Sequence, residues 1–272
     1  VAIKEIAPRQ LVSTVVSHDK SALDSIARYA PSLDVIGINS YGPILEVKDM
    51  VASSDYKGPY MITEWGPTGW WETDKTEWEA SIEQTSDEKR QVYESRYNGA
   101  VLGDERCIGS FVFLWGQKEE RTPTWFSMFV ESEVEGLPLK GEKTPMVEAM
   151  QRVWSGEEPA ETAPVVTAIS INGKRPVESP MVGAGESFKV EVMATDREQE
   201  ELTYIWEVLH EATVLGFGGS YEPRPERYGE GFTTTSPMAE ITINDKGNYR
   251  VYAYVKDGTG FVSTVNSPVQ IK

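Results

Sequence analysis

The first part of the chain alternates between short apolar runs and segments with apolar residues at helical spacing. The apolar runs lack polar alternation, which is typical of strands covered on both faces in a parallel sheet. Strand followed by helix, four times over, predicts an α/β fold with a parallel sheet. The predicted strands are residues 11–16, 33–38, 60–63 and 107–114, and the predicted helices are residues 21–30, 44–54, 87–102 and 144–154.

Long segments follow several of these strands, and that spacing favours half of a (β/α)8 (TIM) barrel over a doubly wound sheet. We assign the partial barrel to residues 1–155. Four strands cannot close an eight-stranded barrel, so two sheet edges need cover. The expected partner is the other half of the barrel or a second copy of the chain in a homodimer.

The pattern changes after residue 155. Residues 156–164 are rich in Gly, Glu, Pro, Ala and Thr without periodicity, which predicts a linker. Residues 165–272 contain short runs separated by turn residues, which predicts an immunoglobulin-like β-sandwich with Trp206 in its core. Within residues 249–253, every second side chain is expected to face outward. The predicted strands are 165–171, 187–194, 202–208, 239–243, 249–255 and a run ending at 271, with a long loop over 209–236.

The composition restricts the partners. The chain has 272 residues and a formal net charge of -17, and this acidity argues against binding to nucleic acid or to an anionic membrane. The sequence has no run of 18 apolar residues, which argues against insertion into a membrane. One cysteine, Cys107, and two histidines leave no intrachain disulfide and no His-rich or Cys-rich metal centre. Four acidic residues of the second half, Asp196, Glu198, Glu201 and Asp257, are of the type that binds Ca²⁺. A solvated acidic turn is the favoured interpretation, so we predict no metal and no cofactor.

Glu64 is the first candidate for chemistry. It stands at the carboxyl end of a predicted strand and is followed by a Gly66 turn, and catalytic groups of parallel α/β folds occupy this position. A solvated residue at the end of a strand is the alternative. Eight tryptophans accompany it in the chain, and flat aromatic faces suit sugar rings as well as protein cores.

Three motifs in order carry a resemblance: NSYG at 39–42, ITEWG at 62–66 and GSFVFLW at 109–115. They resemble the last three strand ends of the clan of retaining glycoside hydrolases built on (β/α)8 barrels, in the style of family 2 β-glycosidases. The resemblance covers residues 1 to 155 and implies the C-terminal half of the barrel, strands 5 to 8. The stretches LTYIW at 202–206 and GNYRVYAYVKDG at 247–258 resemble PKD-type and immunoglobulin-like modules of bacterial polysaccharide-degrading enzymes.

The resemblance implies roles for individual residues. Glu64 would be the catalytic nucleophile, and Tyr41 would donate its hydroxyl to that carboxylate. The expected contacts with substrate come from Trp115 as a platform under the sugar, from Trp70, Trp71 and Trp125 in flanking subsites, and from Asn39 and His18 at sugar hydroxyls. Simple packing remains the alternative for Tyr41 and for the loop tryptophans. Residues 118–121 are predicted to be a solvated charge run.

A retaining glycosidase also needs a second carboxyl group about 5–5.5 Å from the nucleophile. The clan's Asn-Glu pair is not in this sequence, and Asp19, Glu72 and Glu119 do not match it. We therefore expect the C-terminal part of a retaining glycoside hydrolase acting on a β-linked polysaccharide or oligosaccharide, inactive alone. A non-catalytic carbohydrate-binding or scaffolding module is the alternative. Either would be a secreted bacterial protein, located outside the cell, in the periplasm or at the cell surface.

Overall fold

The computed structural model describes residues 2–216 and 219–272. The α-helices are α1 (Ala2–Ile6), α2 (Lys20–Tyr29), α3 (Val47–Ser53), α4 (Ser86–Arg96) and α5 (Pro145–Ser155). The strands are β1 (Ser13–Ser17), β2 (Val35–Asn39), β3 (Tyr60–Trp65), β4 (Cys107–Val112), β5 (Val165–Ile171), β6 (Met181–Val182), β7 (Ser187–Thr195), β8 (Thr203–His210), β9 (Phe232–Thr234), β10 (Met238–Thr242), β11 (Gly247–Lys256) and β12 (Val262–Ile271).

The chain forms two compact units, and their bounds differ from the predicted domains. The first unit comprises residues 1–67 and 92–113, and the second comprises residues 68–91 and 114–272. The second unit therefore contains much of the segment that we assigned to a barrel.

The first unit contains a parallel sheet with the strand order β1-β2-β3-β4. Its middle strands are the most deeply buried, with Ile36, Ile38, Tyr60 and Ile62 inaccessible to solvent. Four successive residues of β2, 35–38, are buried, so this strand is covered on both faces, as its unbroken apolar run indicates. Leu23 of α2 is also fully buried, and Asp19 begins that helix by accepting a hydrogen bond from the backbone N–H of Ser21.

The predicted half-barrel is wrong. The four strands form an open sheet, and no barrel closes among residues 2–216 and 219–272. In the described part of the chain, β1 and β4 each pair with one neighbouring strand and so form the two edges of the sheet. Barrel closure requires a matching number, tilt and stagger of strands, and the apolar pattern of a single strand specifies none of these.

The second unit contains two sheets that enclose one hydrophobic core. The smaller sheet has the order β10-β7-β5, and the larger has the order β6-β12-β11-β8-β9. Alternate residues of β7 are buried, as the sequence pattern predicts. Trp206 is fully buried in this core, which confirms its predicted place, and its Nε1 donates to Thr234 Oγ1 at 2.9 Å. The sequence pattern did not reveal the short strands β6 and β9. Within the predicted loop over 209–236, residues 217 and 218 lie outside the described residues.

The outer face of the larger sheet is covered as well. Val130, Leu137 and Leu139 pack against Tyr252 and Tyr254, which point away from the sandwich core. The predicted alternation of inward and outward residues in β11 is present, but the outward side chains are buried, because the segment 130–139 lies over them. The linker prediction also needs correction. Thr162 and Ala163 are buried, and the backbone N–H of Ala163 donates to Glu148 Oε2 at 3.1 Å.

A network of buried polar groups connects residues 81–89 to this outer face. Lys89 forms an ion pair with Glu83, and each of these side chains is 1% exposed. The second oxygen of Glu83 accepts a hydrogen bond from Asn266 Nδ2 at 2.6 Å. Asn266 Oδ1 in turn accepts from Arg250 at 2.7 Å, and Arg250 also donates to the carbonyl of Ser81 at 2.9 Å. These contacts explain why residues 68–91 belong to the second unit.

Candidate functional site

Polar side chains of the first unit gather where the parallel strands end. The register places Ser17 of β1 beside Asn39 of β2, and Asn39 beside Glu64 of β3. Because parallel strands finish at the same edge, Asn39 and Glu64 come together although 25 residues separate them. Tyr41 follows β2 and reaches the same place.

Both carboxyl oxygens of Glu64 accept hydrogen bonds. Asn39 Nδ2 donates to Oε2 at 2.9 Å, and the Tyr41 hydroxyl donates to Oε1 at 3.1 Å. Thr63 Oγ1 donates to Asn39 Oδ1 at 2.9 Å, which fixes the orientation of the amide. We call Glu64, Asn39 and Tyr41 the Glu64 site. The expected hydrogen bond from Tyr41 to Glu64 is present, and the catalytic roles stay predictions.

The Glu64 site keeps capacity for a ligand. All three of its residues are half-buried, so they are partly open to solvent. A carboxylate has about four acceptor positions, and Asn39 and Tyr41 use two of them. The remaining positions can accept hydrogen bonds from ligand hydroxyl groups.

His18 lies at the end of β1, as the sequence indicates. Its Nδ1 is 3.0 Å from the Ser40 hydroxyl, and the backbone N–H of Ser40 donates to the carbonyl of Glu64 at 2.9 Å. His18 is therefore connected to the Glu64 site through one buried serine. A contact between His18 and a sugar hydroxyl stays a prediction.

Arg96 supports the backbone after Glu64, and sequence reasoning missed it. Its Nη1 donates to the carbonyls of Gly66 and Pro67 at 2.8 and 2.9 Å. A Cβ at position 66 would lie 2.4 Å from the carbonyl oxygen of Phe113, so this position requires glycine. A buried arginine in a helix gives no sequence signal of this role.

The remaining predicted site residues belong to the second unit and are described within it. Trp115 is 50% exposed, and its ring contacts Phe129 and Trp154 with centroid separations of 5.6 Å. Trp154, on α5, is 56% exposed. Sequence reasoning missed Trp154, although a tryptophan near the end of an amphipathic helix was a visible signal.

The three other tryptophans differ in accessibility. Trp71 is 49% exposed and stacks on Phe126. Trp70 is half-buried, and the Arg121 guanidinium lies 3.8 Å from its ring centroid. Trp125 is fully buried, and its Nε1 donates to the carbonyl of Thr68 at 3.0 Å. The predicted sugar contact is therefore wrong for Trp125, which is a packing residue.

Comparison with known proteins gives weak likenesses. No protein-family model matches the chain, and no curated protein matches it significantly. One similar structure is of carbohydrate-binding modules of the β-sandwich superfamily, with 19% identity over 42% of this chain and a TM-score of 0.28. The match spans 36% of that protein, about a third of its length.

Two further structures are similar at the same level. One is the PKD domain of an M14-like peptidase from Thermoplasmatales archaeon SCGC AB-540-F20, with 19% identity, a TM-score of 0.23, and coverage of 39% of this chain and 94% of that one. The other is the PmoD soluble domain from Methylocystis sp. ATCC 49242 (Rockwell), with 11% identity, a TM-score of 0.23, and coverage of 43% and 95%. At TM-scores this low, the likenesses carry no argument about function.

Residues 118–121 are not the solvated charge run that we predicted. Lys118 pairs with Glu120, and Arg121 pairs with Glu222 at 2.7 Å. The carboxyl oxygens of Glu119 are buried, and no hydrogen-bond partner lies near them in the described part of the chain. Burial raises the pKa of Glu119 to about 8. The run is thus a paired and partly buried segment of the second unit.

The other acidic candidates hold backbone groups. Asp19 begins α2, and Glu72 accepts from the backbone N–H of Gly69 at 2.8 Å. Among the described residues, no three His, Cys, Asp or Glu side chains are grouped closely enough to hold a metal ion. In the same part of the chain, every helix is too short or too polar to span a bilayer.

Proposed function

We propose that this chain binds carbohydrate at the Glu64 site. The observation that carries the proposal is the carboxylate of Glu64, held by Asn39 and Tyr41 and partly open at the carboxyl edge of a parallel sheet. Sugar hydroxyls donate and accept hydrogen bonds at fixed angles around a ring, and an oriented group of carboxylate, amide and phenol matches such a ligand.

The surface chemistry supports a neutral sugar. The formal net charge of -17 disfavours polyanionic ligands such as nucleic acids. In the second unit, Trp71, Trp115 and Trp154 each keep about half of their side chain exposed. Exposed aromatic faces of this size suit the apolar faces of sugar rings.

A binding measurement tests the proposal. Glu64→Gln keeps the shape of the side chain but removes its charge and one acceptor oxygen. Charge-assisted hydrogen bonds contribute about 1.5–3 kcal/mol each, so we expect the affinity for a neutral β-linked oligosaccharide to fall at least about tenfold. Isothermal titration with cellohexaose, laminarihexaose and xylohexaose measures it. Glu46→Gln, a change at an exposed glutamate of the first unit, is the control, and equal affinities of the two variants would refute binding at Glu64.

A second candidate function is glycoside hydrolysis with Glu64 as the nucleophile. The two separate donors on Glu64 favour this function, because an amide and a phenol hydroxyl orient the carboxylate without neutralising its negative charge. In the reaction, a carboxylate oxygen attacks the anomeric carbon, the glycosidic C–O bond breaks, and a glycosyl ester forms. A second carboxyl group must protonate an ordinary leaving group, and we propose that another segment or another protein supplies it.

An activated substrate tests the nucleophile by itself. Dinitrophenolate departs without protonation, so a 2,4-dinitrophenyl 2-deoxy-2-fluoro-β-glycoside reports on the nucleophile in the absence of an acid. We expect intact-mass measurement to show one added fluoroglycosyl group on the wild-type chain, located on the peptide that contains Glu64, and none on Glu64→Gln. Glu46→Gln should be labelled like the wild type. An unlabelled chain, or a label at another residue, would reject the nucleophile and leave the binding proposal standing.

A further inference from the structure

The second unit contains a cavity of about 490 Å³ that is lined by residues of this unit alone. Its walls come from residues 70–81, from Arg121, from the end of β8 with the segment after it, and from β11. A volume of this size is within the range of protein sites for small molecules. The side chains that matter for the argument are Trp70, Trp78, His210, Glu211, Asn248 and Arg250.

One wall is a hydrogen-bonded turn that carries Trp78. The backbone N–H of Thr76 donates to the carbonyl of Ala80 at 2.9 Å, and the N–H of Ala80 donates to Thr76 Oγ1 at 3.1 Å. Ser81 is then held from outside the turn, because Arg250 donates to its carbonyl at 2.9 Å. Hydrogen bonds within the turn and the one from Arg250 hold its backbone in place. The turn therefore loses little conformational entropy when a ligand binds against Trp78.

The opposite wall is equally constrained. The backbone N–H of Glu211 donates to the carbonyl of Asn248 at 2.9 Å, and the Glu211 carboxylate accepts from Arg250 Nη2 at 2.7 Å. Arg250 itself is 1% exposed. The His210 ring packs against Tyr249 with a centroid separation of 4.6 Å. This wall therefore presents an imidazole, an amide and a carboxylate from a rigid backbone.

The charges of the lining favour an uncharged ligand. Its three cations each have an anionic partner: Arg250 with Glu211, Lys75 with Glu79 at 3.2 Å, and Arg121 with Glu222 at 2.7 Å. An anionic ligand would have to compete with these carboxylates, which costs free energy. Two indole rings with adjacent donors and acceptors suit a molecule that has apolar faces and a hydroxylated rim.

We propose that this cavity is a second carbohydrate site, which takes a neutral sugar residue between Trp78 and Asn248. The inference rests on the proposed function, since it assigns the same ligand class to a different place. The cavity holds at least one ring of an oligosaccharide, and Trp78 provides the apolar contact. Asn248 lies on the exposed rim, where its amide meets ring hydroxyls.

Titration of the full chain with cellohexaose, laminarihexaose and xylohexaose tests the second site, and hexagalacturonate is the anionic comparison. Trp78→Ala should weaken one class of sites at least about tenfold, because a central tryptophan contributes strongly to a binding pocket. Asn248→Ala should weaken the same class and, as a change at an exposed residue, should leave the fold intact. Tyr221→Ala, which removes an 84% exposed aromatic side chain that does not line the cavity, is the control.

The Glu64→Gln variant separates the two proposals. If both are right, the wild type binds at two sites, Glu64→Gln retains the site at Trp78, and Asn248→Ala retains the site at Glu64. Binding that is lost with Glu64→Gln but unchanged in both cavity variants overturns the second site and supports the first. Binding that the two cavity variants weaken and that Glu64→Gln leaves unchanged supports the second site and overturns the first. Tighter binding of hexagalacturonate than of all three neutral sugars overturns the neutral ligand class, and no binding of any probe overturns both proposals.

Discussion

Replacement of Glu83 by Gln will lower the free energy of unfolding by about 3–5 kcal/mol, because it leaves the buried ammonium group of Lys89 without its counter-charge. Each of the two side chains is 1% exposed. Glu83 also accepts hydrogen bonds from Thr122 at 2.6 Å, Thr124 at 2.8 Å and Asn266 at 2.6 Å. A glutamine amide cannot accept all of these, so the variant loses hydrogen bonds as well as charge.

The loss should depend on pH. Burial lowers the pKa of Lys89, while the charge of Glu83 opposes that shift, so the pKa falls further when Glu83 is removed. Above the lowered pKa the folded variant holds a neutral Lys89, whereas the unfolded chain binds a proton up to the ordinary lysine pKa. Stability of the variant therefore rises with pH through this interval, and its deficit narrows.

Urea unfolding of wild type and variant at pH 6, 7.5 and 9 measures this effect. The control is Glu79→Gln, which breaks the exposed Lys75–Glu79 pair and should cost less than about 1 kcal/mol. Similar losses for Glu83→Gln and Glu79→Gln would show that the buried network contributes little to stability.

The second large effect concerns Glu119. Burial is the main cause that raises its pKa to about 8, and the charges of Glu131 and Glu222 add to it while Arg224 opposes it. In the unfolded chain the carboxyl group has the ordinary pKa of about 4.3. The folded state therefore keeps a proton that the unfolded state releases, and stability falls as pH rises from about 5 to 8.

Glu119→Gln removes this titration. One pKa unit corresponds to about 1.4 kcal/mol. The free energy of unfolding of the variant should therefore rise relative to that of the wild type by about this amount per pH unit, up to roughly 4 kcal/mol at pH 8. Urea unfolding at half-unit steps between pH 5 and 8.5 gives the difference. Glu135→Gln, a change at an exposed glutamate, should follow the wild type at every pH. A constant difference between Glu119→Gln and wild type would exclude a raised pKa.

The strands of the first unit could be predicted from sequence, but the architecture could not. The run in β2 indicates a strand covered on both faces, and its successive residues 35–38 are all buried. The number of strands and the closure of the sheet depend on contacts between distant segments, for which a local pattern holds no information. The half-barrel was wrong for this reason.

Burial of polar residues was the second limit. Arg250 and Tyr252 alternate with apolar residues in β11, and that pattern indicates an exposed face. The structure buries both, because segments far away in sequence lie over them. Glu119 and Trp125 show the same limit, since a charge run or a loop tryptophan says nothing of what covers it.

The position of the Glu64 site could be predicted from one rule, which needs little knowledge of contacts between distant segments. Parallel strands end at one edge, and therefore residues at the ends of β2 and β3 had to meet. The hydrogen bond from Tyr41 to Glu64 was implied by the family resemblance, whereas the one from Asn39 was not predicted. Arg96 lies on a helix and donates to the backbone carbonyl of Gly66, after the end of β3. A rule about the ends of strands does not predict such a contact.

The covered outer face of the larger sheet bears on how such a protein can evolve. Gene rearrangement that joins β-sandwich modules at their linkers works when the transferred piece carries all of its own core. Here Tyr252 and Tyr254 are covered by Val130, Leu137 and Leu139, which precede the predicted linker in the chain, and Arg250 donates a hydrogen bond to the carbonyl of Ser81. A module that was cut at residues 156–164 would therefore lack the segments that cover the outer face of the larger sheet. Successful exchange of this module requires that the covering segments are transferred with it, or that the β11 residues on that face are replaced by polar ones.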